Sequence, residues 1–288
     1  MKRNLILFVV FILIFPAAAI LSIPGVKQRS AYAGDKVYTI GVVPQFEQRK
    51  LYAIWEPIIK DLEKRTGIRF DLRSTLTIEA FEKAIERGDF DFVYFNPYHI
   101  VQVHDKQGYI PLVADKVPLR GIIVVRKESA IQSPAELNGK VVAFPSPNAI
   151  GATLLPKSDL GQLFHAAVEP LYVKTHSSVY LHVAKGLAEA GGGVEKTLQE
   201  QSEEVRSALR IIYTTRSFPS HPVAAHPRVP GDIQEKVLKA FLAMNDSPES
   251  AAMLKNVPVT RFIAVKYEDY AVMSSWGIEK YWQPVSGD

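Results

Sequence analysis

From Val37 onward the apolar positions of the chain alternate between two periods. "VYTIGVV" (37–43) is β-rich, whereas "RKLYAIWEPIIKDLEKRTG" (49–67) sets Leu51, Ile54, Trp55, Ile58, Ile59 and Leu62 at helical spacing, which makes one face of a helix apolar. Gly67 stands where a helix-ending residue belongs. "IRFDLR" (68–73) then reads as a strand, "TIEAFEKAIERG" (77–88) as a helix closed by glycine and "FDFVYF" (90–95) as a strand. The order strand, helix, strand, helix, strand predicts a parallel sheet covered by helices.

A second set of elements opens at "GIIVVRK" (121–127), with strands expected near 140–144, 170–174 and 210–215 and helices near 149–167 and 177–189. "HPVAAHPRVP" (221–230) is dense in proline and poor in helix formers, and "GDIQEKVLKAFLAM" (231–244) restores a helix. The chain therefore reads as two α/β lobes, each a mostly parallel sheet flanked by helices, joined by two hinge crossings near 118–124 and 220–227. The expected division is a signal peptide at 1–33, the first part of lobe 1 at 34–119, lobe 2 at 120–222, and a return to lobe 1 with C-terminal helices at 223–288.

The leader is read from its own pattern. Lys2 and Arg3 precede an apolar run from Leu5 to Ile23, and "AYA" (31–33) closes it with small residues around a cleavage point after Ala33. The run is also long enough for an uncleaved membrane anchor. Export places the mature chain in the periplasm. Lys2, Arg3, Lys27 and Arg29 leave with the leader, taking 34 Lys plus Arg down to 30 against 30 Asp plus Glu. A balanced charge offers no field for nucleic acid or an anionic membrane. Cysteine is absent, which excludes disulfides, thiolate metal sites and a cysteine nucleophile.

Catalytic signatures are missing as well. The sequence holds no G-x-S-x-G, no H-E-x-x-H and no P-loop, and its seven histidines (99, 104, 165, 176, 182, 221, 226) show no ligand spacing. No catalytic residue, metal or cofactor is expected. What remains are strand-to-helix junctions, which in a doubly wound sheet face one crevice and offer unpaired N–H groups to an anion.

Three junctions stand out. In "DFVYFNPYHIV" (91–101), Asn96 is placed to cap, Pro97 suits the first helical position and Tyr98 projects from the first turn. In "KVVAFPSPNAIGATLLP" (140–156), a helix begins on Asn148, Ala149, Ile150, Gly151 and Ala152, where backbone amides are the main donors and Asn148 the one polar side chain. In "VKTHSSVYLHVAKGLAEAGGGV" (173–194), Thr175, His176 and Ser177 sit at a helix start, and Glu189 enters a glycine-rich strand. That glycine run either admits a close backbone approach or marks a turn.

"YTIGVVPQFEQRKLYAIWEPIIKDLEKRTG", then "ERGDFDFVYFNPYHIV", then the segment ending in Pro156, resemble in order and spacing the phosphonate, phosphite and phosphate family of ABC-transporter substrate-binding proteins. The resemblance spans nearly the whole mature chain and implies a two-lobed type II periplasmic binding fold. It implies that anion oxygens are held by a hydroxyl-rich run at the second-lobe helix start, by a histidine ten residues before a glycine, and by an acid three residues beyond it. His176 and Gly186 keep that spacing, and Glu189 stands where the family commonly has Asp. Tyr98 falls in the first-lobe binding segment. One departure is plain: where the family shows Ser, Thr, Ser and Gly, this chain has Ala149, Ile150, Gly151 and Ala152.

The expected function is capture of a small anion, phosphonate-like, phosphite-like, phosphate-like or organic, between two hinged lobes of a monomer, for a membrane permease of an ABC transporter. The alternative keeps the fold but docks the closed protein on a membrane receptor kinase or cyclase as a ligand sensor. An enzyme ranks third, resting on a pairing of His176 with Glu189.

Overall fold

The computed structural model describes residues 36–257 and 259–284. The expected signal peptide and its cleavage after Ala33 lie outside the described residues. Two sheets organise the molecule, and the first is laid down by the alternation at the start of the chain: β1 (Val37–Val42), α1 (Gln48–Thr66), β2 (Arg69–Arg73), α2 (Ile78–Arg87), β3 (Phe92–Tyr94), α3 (Pro97–Gln107) and β4 (Ile110–Asp115).

Each helix of this set starts and stops for a local reason. Glu47, Thr77 and Asn96 cap α1, α2 and α3 by accepting from the amides of Lys50, Ala80 and Tyr98. Gly67, Gly88 and Gly108 end them with φ of +68°, +72° and +63°, the left-handed region that glycine enters without penalty. The apolar stripe of α1 is buried as its spacing predicts, with Leu51, Ile54, Trp55, Ile58, Ile59 and Leu62 all in the core.

The chain then leaves the first sheet and builds the second. This contains β5 (Leu119–Arg126), β6 (Val141–Phe144), a single π-helical turn (Ile150–Leu154) running into α4 (Leu155–Leu163), β7 (Glu169–Tyr172), α5 (His176–Ala184), β8 (Ala190–Val194), α6 (Glu195–Gln199), α7 (Glu203–Ser207) and β9 (Leu209–Phe218). It returns through β10 (Pro222–Ala225), α8 (Gly231–Met244), α9 (Pro248–Leu254), β11 (Phe262–Ala264) and α10 (Glu268–Ala271).

Strand order is β11-β4-β10-β3-β1-β2 in one sheet and β7-β6-β8-β5-β9 in the other. β1 pairs in parallel with β2 and β3, and β6 with β7 and β8. β10 enters the first sheet antiparallel between β3 and β4, so the returning chain closes the sheet it left. The expected crossing at 118–124 is therefore mostly strand β5, and "PVAA" within the proline-rich 221–230 is a central strand. The actual passages between sheets are the short segments 116–118 and 219–221.

A buried carboxylate ties the first sheet together. Asp91 accepts from the amide of Thr39 at 3.0 Å, from its hydroxyl at 3.2 Å, and from Arg228 Nε at 2.7 Å. Burial pulls its pKa up, but the Arg228 and Thr39 hydrogen bonds outweigh burial and hold it below the usual carboxylate range. A depressed pKa contributes stability above the unfolded value, lost as pH falls through the folded one. Asp91→Asn should accordingly lower stability at pH 7 by at least the ~1.5–3 kcal/mol of one charged hydrogen bond. The gap to the parent, measured by urea unfolding, should narrow below pH 4; a gap independent of pH would refute the assignment.

Candidate functional site between the sheets

Both sheets direct the ends of their strands at a shared cavity of about 60 Å3. At about 10–15 Å3 per water, that is room for roughly four to six non-hydrogen atoms. Its floor on one side is the start of the π-turn, with Ala149, Ile150, Gly151 and Ala152 lining the space. π-turns of this kind concentrate at functional sites. Opposite stand Gln45, just after β1, and Asn96 and His99 at the start of α3. His176 opens α5, Lys196 and Thr197 follow β8, and His221 lies in the second passage between sheets. Much of the remaining wall is apolar, with Val43, Phe46, Leu119 and Phe218 excluding water.

The glycine run of β8 explains how the π-turn reaches this place. Side chains alternate along a strand, so Gly191 and Gly193 face α5, where Val179, Val183 and Tyr180 pack, while Gly192 faces the opposite way. A Cβ on Gly192 would overlap the carbonyl oxygen of Ala152 and lie 2.6 Å from the Phe144 ring. The run is therefore a site of close backbone approach, not a turn.

Charge in the cavity is matched or suppressed. Lys196 supplies the ammonium, and its Nζ is hydrogen-bonded to the buried Asp115 of the first sheet. Burial pushes the His176 imidazole down to about 4. Burial, reinforced by the neighbouring His176, His99 and Lys196, pushes that of His221 down to about 3. Both rings are neutral at pH 7. Thr197 Oγ1 lies 3.2 Å from His176 Nδ1, Gln45 Nε2 lies 2.8 Å from His221 Nε2, and the His221 ring stacks on Tyr94 with centroids 5.4 Å apart.

Behind this wall a buried polar hub joins the lobes. Glu82 of α2 accepts from Asn148 Nδ2 at 2.9 Å and contacts His99 Nε2 at 3.0 Å. The Asn148 side chain also pairs with the backbone of Gln283, donating to its carbonyl at 2.8 Å and accepting from its amide at 2.9 Å. Asn96 Nδ2 donates to the Asn148 carbonyl at 3.1 Å.

The residues expected from sequence divide accordingly. Asn96, Ala149, Ile150, Gly151, Ala152 and His176 line the cavity together. Tyr98, Asn148, Ser177 and Glu189 do not. Tyr98 is turned under the C-terminal segment, its ring edge-on to Trp282 at 5.6 Å, because one step along α3 gives the cavity position to His99. Asn148 spends its amide on Glu82 and Gln283. Ser177 is half-buried in the second position of α5, off the wall. Glu189 is exposed at the start of β8, whereas the cavity lies at that strand's far end, and no pairing with His176 forms. Gln45, His99, Lys196, Thr197 and His221 escaped the sequence reading. The signal that finds Gln45, Lys196 and Thr197 is their place just beyond the C-terminal ends of β1 and β8, the rim where ligands bind in open α/β sheets.

A cavity between two mixed sheets, entered by strand ends and a helix start, is the arrangement of a solute-binding protein, and the comparisons agree. Residues 40–270 match the family described as ABC transporter, phosphonate, periplasmic substrate-binding protein. This chain belongs to that family. It is 23% identical over 246 residues, covering 78% of this chain and 76% of the relative, to the phosphate-import protein PhnD of Mycolicibacterium smegmatis. Among solved structures, PhnD1 of Prochlorococcus marinus in complex with methylphosphonate superposes with a TM-score of 0.77 at 16% identity, covering 85% of this chain and 98% of that one. A binding-protein component of an ABC phosphonate transporter from Pseudomonas aeruginosa gives 0.73 at 16% identity, covering 85% and 87%. The family is periplasmic and serves transport through small-ligand capture and a membrane permease. Among the described residues no helix is long and apolar enough to cross a membrane.

Proposed function

We propose that this protein captures a small tetrahedral oxoanion, with at most a methyl-sized apolar substituent, and delivers it to the permease of an ABC transporter. The observation that carries this reading is the cavity itself: about 60 Å3, set between two sheets, floored by Ala149 to Ala152 and walled partly by apolar side chains. Phosphonate-like ligands suit it, since an apolar wall accepts a methyl group and amides accept the oxygens. The hydroxyl donors implied by the resemblance are replaced here by Ala149, Ile150 and Gly151, so the binding residues we assign are the π-turn amides with Asn96, His176, Thr197 and His221. Tyr98, Asn148, Ser177 and Glu189 are left out of direct contact.

Closure is hinged at 116–118 and 219–221, and the mature chain acts as a periplasmic monomer without catalytic activity, released by cleavage after Ala33. The sensing alternative is not favoured, because the matched family and the curated relative are transport components.

A thermal-shift panel of phosphate, phosphite, methylphosphonate, methanesulfonate and acetate on residues 34–288 tests the reading. A ligand that binds only the folded state at about 100 times its Kd adds about 2.7 kcal/mol, which raises Tm by roughly 5–10 °C in a chain of this size. If acetate alone shifts Tm, or no oxoanion does, the assignment of an oxoanion is wrong.

A further inference from the structure

Three imidazoles share the cavity, and the way each is held suggests what they do. His99, His176 and His221 all line it, from α3, from the start of α5 and from the second passage between sheets. Each has one ring nitrogen engaged by a group that can serve either protonation state. Glu82 Oε1 meets His99 Nε2 at 3.0 Å, and a carboxylate accepts from that N–H whether the ring is neutral or charged. The Thr197 hydroxyl at His176 Nδ1 can donate or accept by rotating. Gln45 donates to His221 Nε2 and can turn its amide to accept instead. The opposite nitrogen of one ring, His99 Nδ1, is buried without a hydrogen-bond partner, and the residue is 1% exposed. A buried nitrogen in this state, on a residue that lines a ligand-sized cavity, is unexplained by the protein's own hydrogen bonds.

The charges around the rings complete the picture. Lys196 beside His221 is bonded to Asp115, Glu82 beside His99 is bonded to Asn148, and Glu200 lies near Lys196 and Lys50. No hydroxyl run faces the π-turn, because positions 149 to 152 are Ala, Ile, Gly and Ala. An entering anion therefore finds the π-turn residues, the Thr197 and Ser220 hydroxyls, Lys196 and three imidazoles, with no hydroxyl at positions 149 to 152.

We propose that anion binding here takes up a proton, which His99, His176 or His221 holds against the ligand, so that an imidazolium replaces the missing hydroxyl donors. This rests on the cavity being the anion site. The sign follows from linkage. The free rings of His176 and His221 are neutral, with pKa values pushed down to about 4 and about 3, and a bound anion raises them. Between the free and bound values the complex holds more protons, so affinity rises as pH falls and levels off below the free-state values. Uptake of one proton makes the change about tenfold per pH unit.

The experiment uses the mature protein with methylphosphonate, and with methanesulfonate as an anion that carries no titrating proton near neutrality. Ring-nitrogen NMR of 15N-histidine protein at pH 7 reads each imidazole directly. The expected result is the appearance, at saturation, of an imidazolium that the unliganded protein lacks. Among His99→Gln, His176→Gln and His221→Gln, each with its unliganded Tm as the folding check, the variant that removes the proton-holding ring should weaken binding and flatten the pH slope. A saturated complex in which no ring gains a proton, or a pH slope unchanged in all three variants, overturns the proposal. Absence of saturable binding by any oxoanion at pH 5 to 8 removes the anion-site reading, and the proposal with it.

Discussion

Replacing Asn148 by alanine should weaken capture of the bound anion by about 10- to 100-fold without a comparable loss of folding stability in either lobe. The side chain gives its two N–H groups to the Glu82 carboxylate and the Gln283 carbonyl, and takes the Gln283 amide. Glu82 belongs to α2, and Gln283 follows Trp282, which packs on Tyr98 and His99 of α3. Asn148 belongs to the loop between β6 and the π-turn. These bonds therefore exist only when the two lobes are together, and their removal acts on closure. A hydrogen bond to a charged group contributes about 1.5–3 kcal/mol, so losing the Glu82 bond alone moves the closed-to-open ratio by about one to two decades. Because Kd includes the closure equilibrium, it moves with that ratio.

Asn148→Asp is the harsher variant: it sets a second carboxylate against the buried Glu82 and leaves Gln283 without its donor. Calorimetric titration with methylphosphonate and the radius of gyration of the free protein read the two effects. The variants should bind more weakly and the unliganded molecule should expand. Affinity within twofold of the parent would show that the hub packs the cleft without governing its closure.

The reason such a hub could not be read from sequence is that its members are far apart along the chain and each has an ordinary local role. Asn148 looked like the polar end of a helix start, and Glu82 like one more acid on an amphipathic helix. What sequence carries well is anything decided within one element. The stripe of α1, the glycine stops of α1 and α2 and the Asn96-Pro97 start of α3 all appear as local spacing predicts. Short strands inside proline-rich stretches were harder. β10 is four residues long, begins on Pro222 where no ladder N–H is required, and owes its existence to the edges of β3 and β4 that it joins.

The candidate site shows the same division. The junction at 148–152 and His176 are legible because strand ends and helix starts are marked by local composition, although the expected helix start is a π-turn and α4 begins only at Leu155. His99, Thr197, Lys196 and His221 were not, since which residue of a first turn faces a cleft depends on the opposing lobe. One helical step separates Tyr98, packed on Trp282, from His99 on the cavity wall.

Gly192→Ala should destabilise the protein by more than about 3 kcal/mol, at the upper end of what overpacking costs, because the obstacle is main chain. Gly192 lies on the face of β8 that receives the π-turn, and a methyl group there would overlap the Ala152 carbonyl oxygen, which cannot rotate aside as a side chain can. The Phe144 ring at 2.6 Å closes the other route of escape. Its backbone is not in the left-handed region, so conformational strain contributes nothing and the whole effect is steric. The π-turn must therefore lift away from β8, and it carries Ala149 to Ala152 with it, so the cavity floor moves and ligand binding should vanish even where the fold survives. Gly231→Ala is the matched control, since nothing lies within 4 Å of a Cβ placed there. At that helix start, alanine should leave stability unchanged or raise it by up to about 1 kcal/mol through the unfolded chain. Urea unfolding of both variants decides the matter. A Gly192→Ala protein within about 1 kcal/mol of the parent would mean that the π-turn does not rest on β8 at this distance, and that the floor of the cavity is placed by other contacts.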